Sequence, residues 1–532
     1  MADNATKAKT YPILGVFGVL LGAMIASFAG RLLSVGLADL RPGLKLSVDE
    51  AAWIGTAFNA GMMFIGPFSV YLGGLLGPRR VLLFCAVAFT LINAILPFSS
   101  NPTVLFLLIV LAGMTGGTFY PITLSFILRN IPIRFVLLAI AAYAMDIVFT
   151  TYIANSLEAW YIVHLSWRWI FWNSVLLTPL MLLLILFGIS KQPLPKREAG
   201  QQKPSWRGFL YSSLGFALLY IALDQGQRLD WLNSGLIVGL VASGSVLLIS
   251  MIVRRWMMPN RLINIEFLKQ RNILLLGAIL VFFRFVMLSA VVVVPNYLGT
   301  VQSYRPDQTG ATMLWVALPQ IAFGLLAMWL LRYIDPRIIL ATGFLVVGLG
   351  CALNMGVTSV WSGDNLVQSQ FLLSFGYAFA FNGLVGNCVL QAINSGAMQN
   401  PINALTYSGF FQTLRLFGGQ VGTALVLHFI SVREQFHSNT LGMYITAGNS
   451  LATERLNLLR SGMQLHSPGL VAIARGAGLL ALQVRQQAFT LAIGDAFHLI
   501  ALAAVFALLL IACMTRMPTQ YQELIDSTKR PS

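Results

Sequence analysis

Long apolar stretches recur along nearly the whole chain, separated by short polar segments rich in Gly, Pro or charge. Runs of 18 or more mostly apolar residues are long enough to cross a bilayer as helices. They fall at about 12–38, 50–72, 81–98, 103–127, 135–160, 169–189, 207–226, 234–253, 273–299, 309–333, 338–358, 367–391, 404–431 and 489–514. The pattern predicts an all-α polytopic membrane protein with 14 transmembrane helices. Two connections break the rhythm. Residues 190–206 (SKQPLPKREAGQQKPSW) are rich in Pro, Lys and Gln and read as a cytoplasmic linker between two halves. Residues 432–488 form the one long outer loop, and their spaced Leu, Ile and Met predict amphipathic helices. Such helices would either cap the protein's own mouth or offer a docking surface to a periplasmic partner.

Composition supports this reading. Of 532 residues 57% are hydrophobic and only 10% charged, with mean hydropathy +0.77, against about a quarter charged in soluble domains. The net charge of +16 would suggest nucleic acid if it were clustered. Instead, with a cytoplasmic N-terminus, 21 of the 34 Lys and Arg fall in inner segments, 10 in outer segments and 3 within spans. The positive-inside rule therefore places both termini in the cytoplasm, and the basic excess belongs to the inner leaflet. The polar start MADNATKAKT lacks a cleavable signal. Cys85, Cys351, Cys388 and Cys513 lie in apolar runs without metal-like spacing and read as packing residues. His164, His428, His437, His466 and His498 are scattered, and no nucleophile constellation accompanies them, so an enzyme is not expected.

Charges inside apolar runs are costly and mark substrate, ion or proton pathways by default. The run 137–160 carries two, Asp146 and Glu158. On one helix they sit roughly 18 Å apart along the axis and about 120° apart around it, so they do not form one paired site. Asp146 falls near mid-membrane and is the candidate proton carrier. Glu158 falls near the outer end, where it is expected to pair with Arg31. Further candidates for the polar lining of a cavity are Tyr120, Thr123, Arg284, Asn382, Asn387, Gln391, Gln412 and Arg415. The positive charge of Arg284 suits an anionic amphiphile or a carboxylate partner. Gly418, Gly419 and Gly422 give one helix face small residues on which another helix can pack closely. Asp224 and Asp230 flank a Gly at the outer end of the seventh run, a place where acids are usually solvated or cap a turn.

Several stretches together resemble the fourteen-span drug:proton antiporters of the major facilitator superfamily, in particular EmrB-type subunits of tripartite pumps. They include Leu223–Trp231 (LDQGQRLDW), Pro259–Asn272, Val294–Gly310, Arg415–Leu425 (RLFGGQVGTAL), Arg433–Leu441 (REQFHSNTL), Gly117–Pro132 and Trp167–Asn173 (WRWIFWN). The resemblance implies a six-helix bundle at 12–189, the linker at 190–206 and two extra helices at 207–253. A second bundle follows at 273–514, interrupted by the loop 432–488, and then a cytoplasmic tail at 515–532. It also implies export of small amphipathic or anionic compounds across a bacterial inner membrane in exchange for protons, with no cofactor. An EmrA-like periplasmic adaptor and an outer-membrane channel are the partners it implies. The chain departs from the family pattern at four places. The first span reads Phe28-Ala29-Gly30-Arg31 where an Asp is usual, and Ile109 stands where the fourth span usually has Arg. The loop from Val70 to Arg80 keeps Gly77 but lacks its acid, and Ala154–Ala159 replaces the Gly-Pro antiporter motif. Coupling through relocated acids, Asp146 and Glu158, accounts for these losses. A dedicated exporter of an endogenous metabolite, such as a siderophore or fatty acid, is the neighbouring reading. A scaffold or receptor that kept the fold and lost transport is the reading of another class.

Overall fold

A computed structural model describes residues 12–123, 133–189, 206–257, 265–396, 401–446, 448–464, 469–518 and 521–523. The expected linker, apart from Trp206, and most of the tail at 515–532 lie outside the described residues. Among these residues there are helices and no strands. In the first half they are α1 (Pro12–Val35), α2 (Leu37–Gly43), α3 (Val48–Leu76), α4 (Pro78–Ile95), α5 (Pro102–Gly116), α6 (Ile133–His164) and α7 (Trp169–Gly188). Residues 119–123 continue the path of α5. A close pair follows, α8 (Trp206–Gly226) and α9 (Gly235–Met257). The second half holds α10 (Ile265–Leu268), α11 (Arg271–Val286), α12 (Val294–Thr300), α13 (Pro306–Ala317), α14 (Pro319–Leu331) and α15 (Pro336–Asn354). It ends with α16 (Val367–Asn394), α17 (Pro401–Gly442), α18 (Ser450–Gln464) and α19 (Gly469–Ala512).

A helix stands at each place where an apolar run was read. Among the described residues 12 are long and apolar enough to cross a membrane; α3 and α8 are the two runs outside that set, both seamed with polar side chains. Local chemistry explains many of the ends. Ser47 and Glu50 form a reciprocal capping box at the start of α3. Asn101 and Asp335 cap α5 and α15 through their side chains. Gly77 joins α3 to α4 at φ 83°, a conformation only Gly adopts freely, which is why that Gly stands before Pro78.

In the first half α1 packs on α6 and α7, α4 on α7, and α3 on α5. In the second, α15 packs on α16 and α19, and α11 on α17 and α19. The halves meet along a seam where α6 lies against α13, α14 and α16, and α3 lies against α17. The pair α8–α9 docks through α8 onto both α3 and α17, so it straddles the seam rather than joining one half. Among its described residues the long loop expected at 432–488 is mostly helical: α17 and α19 run on past the apolar core, and the exposed α18 packs on α19.

Candidate functional site

Small residues let the two halves approach at one end of the seam. Ser156 Oγ on α6 donates to the Gly310 carbonyl of α13 at 2.8 Å. Four residues earlier, on the same face of α6, the Tyr152 ring stacks on Tyr377 of α16 at 5.8 Å. Tyr377 shares a buried hydrogen bond with Ser289, which opens a single π-helical turn, Ser289–Val293. Such turns inside α-helices mark functional sites more often than chance. Here the turn lies opposite Arg31 of α1, whose Nη2 donates to the Val291 carbonyl at 3.2 Å.

Toward the other end the seam widens into a cavity lined by Tyr120, Tyr143, Leu280, Phe381, Tyr407, Phe411, Gln412 and Arg415. Tyr120 follows α5, Tyr143 is on α6, Leu280 on α11, Phe381 on α16 and the other four on the first half of α17, so the cavity lies away from Ser156 and Gly310. The Arg415 guanidinium sits over the Tyr120 ring, 3.8 Å from its centroid, a cation–π contact strengthened where water is excluded. Tyr120 meets Tyr143 edge-on at 6.4 Å, and Asp146 lies within electrostatic range of both phenols. Asp146 Oδ2 is buried with no hydrogen-bond donor among the described residues. Arg284 of α11 reaches across to the glycine face of α17: a Cβ on Gly419 would stand 2.9 Å from its Nε. Gly419 therefore does more than pack, since it leaves room for a charged group between two helices, while Gly418 and Gly422 pack on Val281 and Phe285.

Arg31, Arg284 and Arg415 are each within electrostatic range of at least one other member of this group. None makes an ion pair within 4 Å among the described residues. Burying a guanidinium is costly unless it is paired or lines a water-filled space, so the middle of the seam holds three cations whose nearest acids, Asp146 among them, stay beyond ion-pair distance among the described residues.

The other sequence candidates are placed differently. Glu158 is wholly buried, and among the described residues no N–H or hydroxyl donates to it; its neighbour is the Asp39 carboxyl of α2, close enough for the two acids to share a proton. The Arg31–Glu158 pair expected from sequence is absent. Gly36, which lies against the Glu158 side chain, comes five residues after Arg31, a rotation of about 140° that turns Arg31 toward the opposite half. Thr123 donates its hydroxyl inside the first half, with the Val19 and Phe119 carbonyls both at 2.7 Å. Asn382 and Asn387 bond back to their own helix, at Ala378 and Gly383. Gln391 reaches Gln270 at 3.3 Å. Of the eleven candidates, Tyr120, Gln412 and Arg415 line the cavity; Gln412 accepts from Arg415 Nε at 3.2 Å.

Asp224 is the largest surprise. It is not solvated at a helix end but accepts from Thr56 of α3 and from Gln420 of α17. Asp230, by contrast, holds a left-handed turn before a short 3-10 helix and accepts from the Asn233 side-chain amide at 2.8 Å, without capping a backbone N–H. Asp495 was hidden inside an apolar run; it pairs with Arg433 at 2.6 Å and His437 at 2.7 Å, tying α17 to α19. Of the cysteines, Cys85 and Cys351 are buried, Cys388 lines the cavity and Cys513 is exposed, so the packing reading fails for the last. Among the described residues no group of His, Cys, Asp and Glu is placed to hold a metal.

A family model described as Major Facilitator Superfamily matches residues 19–423. The probable multidrug resistance protein EmrY of Escherichia coli is 25% identical over 524 residues, covering 95% of this chain and 97% of that one. The fatty acid resistance protein FarB of Neisseria gonorrhoeae is 24% identical over 453 residues, covering 81% of this chain and 82% of its own. The solved structure of the proton:xylose symporter XylE superimposes with TM-score 0.55 at 12% identity, covering 97% of this chain and 99% of that one. That likeness shows the fold alone.

Proposed function

Since the chain belongs to the Major Facilitator Superfamily, a family of transporters rather than enzymes, we propose that it exports small amphipathic organic anions across a bacterial inner membrane, by alternating access and in exchange for protons. The observation that carries the choice of cargo is the set of three guanidiniums, Arg31, Arg284 and Arg415, lying in the seam without an ion-pair partner among the described residues. A cargo carboxylate or sulfonate would supply the missing counter-charge through charge-assisted hydrogen bonds. Its apolar body would rest on Tyr143, Phe381, Tyr407 and Phe411. The names of the relatives, a multidrug resistance protein and a fatty acid resistance protein, suit such a cargo.

Asp146 is the proton carrier in this reading. It lies beside the cavity, and its free Oδ2 can take up a proton without breaking an ion pair. Glu158, facing Asp39 nearer the closed end of the seam, is the second proton site. With the basic segments inside, the cavity faces the cytoplasm and the Ser156–Gly310 contact closes the outer mouth. Both termini are then cytoplasmic, all 14 helices span, and the helical extension around α18 is the surface for a periplasmic adaptor of a tripartite pump.

The test is flux in liposomes carrying an internal pH dye, with a poorly permeant fluorescent aromatic sulfonate as the probe. Wild-type protein should move the sulfonate with an opposing proton movement. Asp146→Asn should keep sulfonate binding and lose the proton signal. Arg284→Gln and Arg415→Gln should each weaken binding about tenfold, the loss of one hydrogen bond to a charged group. A double Arg variant that binds the sulfonate as tightly as wild type, or a preference for a cationic dye, would sink the anion reading.

A further inference from the structure

The motif LDQGQRLDW, at the end of α8, has a structural role that neither cargo nor proton explains. Asp224 accepts at Oδ2 from the Thr56 hydroxyl on α3 and at Oδ1 from Gln420 Nε2 on α17 at 2.7 Å. One carboxylate therefore joins the first half to the second. The neighbouring residues repeat the arrangement. Gln225 Nε2 donates to Thr56 Oγ1 at 2.5 Å and to the Ala52 carbonyl at 3.1 Å, both on α3. Gln227 Oε1 meets His428 Nδ1 of α17 at 3.0 Å and accepts from Trp231 Nε1 at 3.1 Å. Arg228 accompanies Gln225 at 2.7 Å and pairs with Asp49 of α3 at 2.8 Å. Contacts to α3 alternate along this stretch with contacts to α17, while α9, the partner of α8, packs on neither. All this lies toward the starting end of α3 and, along α17, beyond Arg415, on the side of the seam where Ser156 meets Gly310.

We propose that the end of α8 is a latch across the outer seam, and that Asp224 is its positioning residue: it holds α3 of one half to α17 of the other while the cavity is open at the opposite end. Opening the outer seam separates α3 from α17, so both arms of Asp224 cannot survive the change. The extra helix pair thus sets the balance between the two access states. The proposal rests on the alternating-access reading but not on the cargo or on proton exchange. Hydrogen bonds shared by one carboxylate with two moving partners bias such an equilibrium by their full differential strength.

The experiment places Ser156→Cys on a chain whose Cys388 and Cys513 are changed to Ala, and follows its labelling by a membrane-impermeant maleimide in membranes, with no substrate and no pH gradient. Adding Asp224→Ala should raise the labelling rate about tenfold, the population shift that follows loss of a hydrogen bond to a charged group. Thr56→Val and Gln420→Leu each cut one arm and should raise it by a smaller factor, which keeps the test alive if Asp224→Ala fails to fold. Asp224→Asn retains one acceptor and should fall between. Asp49→Asn removes the Arg228 pair, which touches α3 alone, and should leave labelling unchanged. Unchanged labelling in the Thr56 and Gln420 variants, or an equal rise in Asp49→Asn, would overturn the latch. Absence of sulfonate flux in the previous experiment would leave this outcome untouched.

Discussion

At the scale of the residue, two glycines show why the same small side chain can serve packing in one place and function in another. A Cβ on Gly383 of α16 would meet the Leu340 backbone at 2.6 Å, where two helices touch main chain to main chain. One on Gly419 would meet only the far end of Arg284, at 2.9 Å. Backbone cannot yield without parting α15 from α16, whereas a guanidinium can swing away. Gly383→Ala should therefore lower the melting temperature in detergent. Gly419→Ala should leave melting nearly unchanged and weaken sulfonate binding, because it displaces a charge from the seam; the pair is checked by thermal scans beside a binding titration. The glycine face of α17 was legible in the sequence, and so was the anomaly of an arginine in an apolar run. That the two belong together was not, because Arg284 and Gly419 are 135 positions apart in the chain and only the crossing of α11 on α17 joins them.

At the scale of the element, caps and apolar runs were the readable part. Asp335 caps α15 by accepting from the Arg337 backbone at 2.9 Å, and its carboxylate is clasped by the Arg337 guanidinium, also at 2.9 Å. The same guanidinium reaches the Met514 carbonyl beyond α19 at 2.8 Å. Partial burial pushes the Asp335 pKa up, but the Arg337 bonds outweigh it and hold the carboxyl below the ordinary carboxylate range. Because the folded value is depressed, this stabilisation is fully present above the unfolded pKa of about 4. It fades as pH falls through the lower folded value. Asp335→Ala should cost about 1 kcal/mol at neutral pH, and the gap between mutant and wild-type denaturation midpoints should close in strong acid. The end of α8 taught the opposite lesson. Its acids looked like ordinary helix-end acids because spacing along one helix carries no information about two partners on other helices.

At the scale of the molecule, the distribution of Lys and Arg makes a prediction of its own. Alkaline phosphatase inserted at Gly448 should be active, and fused after Ser532 should be inactive, while a fluorescent protein at Ser532 should glow; the reverse pattern would invert the protein and put the cavity outside. Two of the four departures from the family pattern gain a physical reason at this scale. Ile109 is fully buried in apolar surroundings, so the first half is closed there by packing where an Arg is usual. Arg31, in place of a neighbouring acid, is used across the seam at Val291.

The sequence by itself determined the class of the protein, its helices and most of their ends, because apolar length, caps and turn chemistry are local properties of consecutive residues. It also determined which charges were out of place. The tertiary structure alone decided what those charges face: Glu158 toward Asp39 and not Arg31, Asp224 between the two halves, and three guanidiniums along one seam without an ion-pair partner among the described residues. The reason is physical. A helix fixes the direction of a side chain to within its own turn, but the partner it meets depends on how whole helices cross, and that is settled by the packing of the complete bundle.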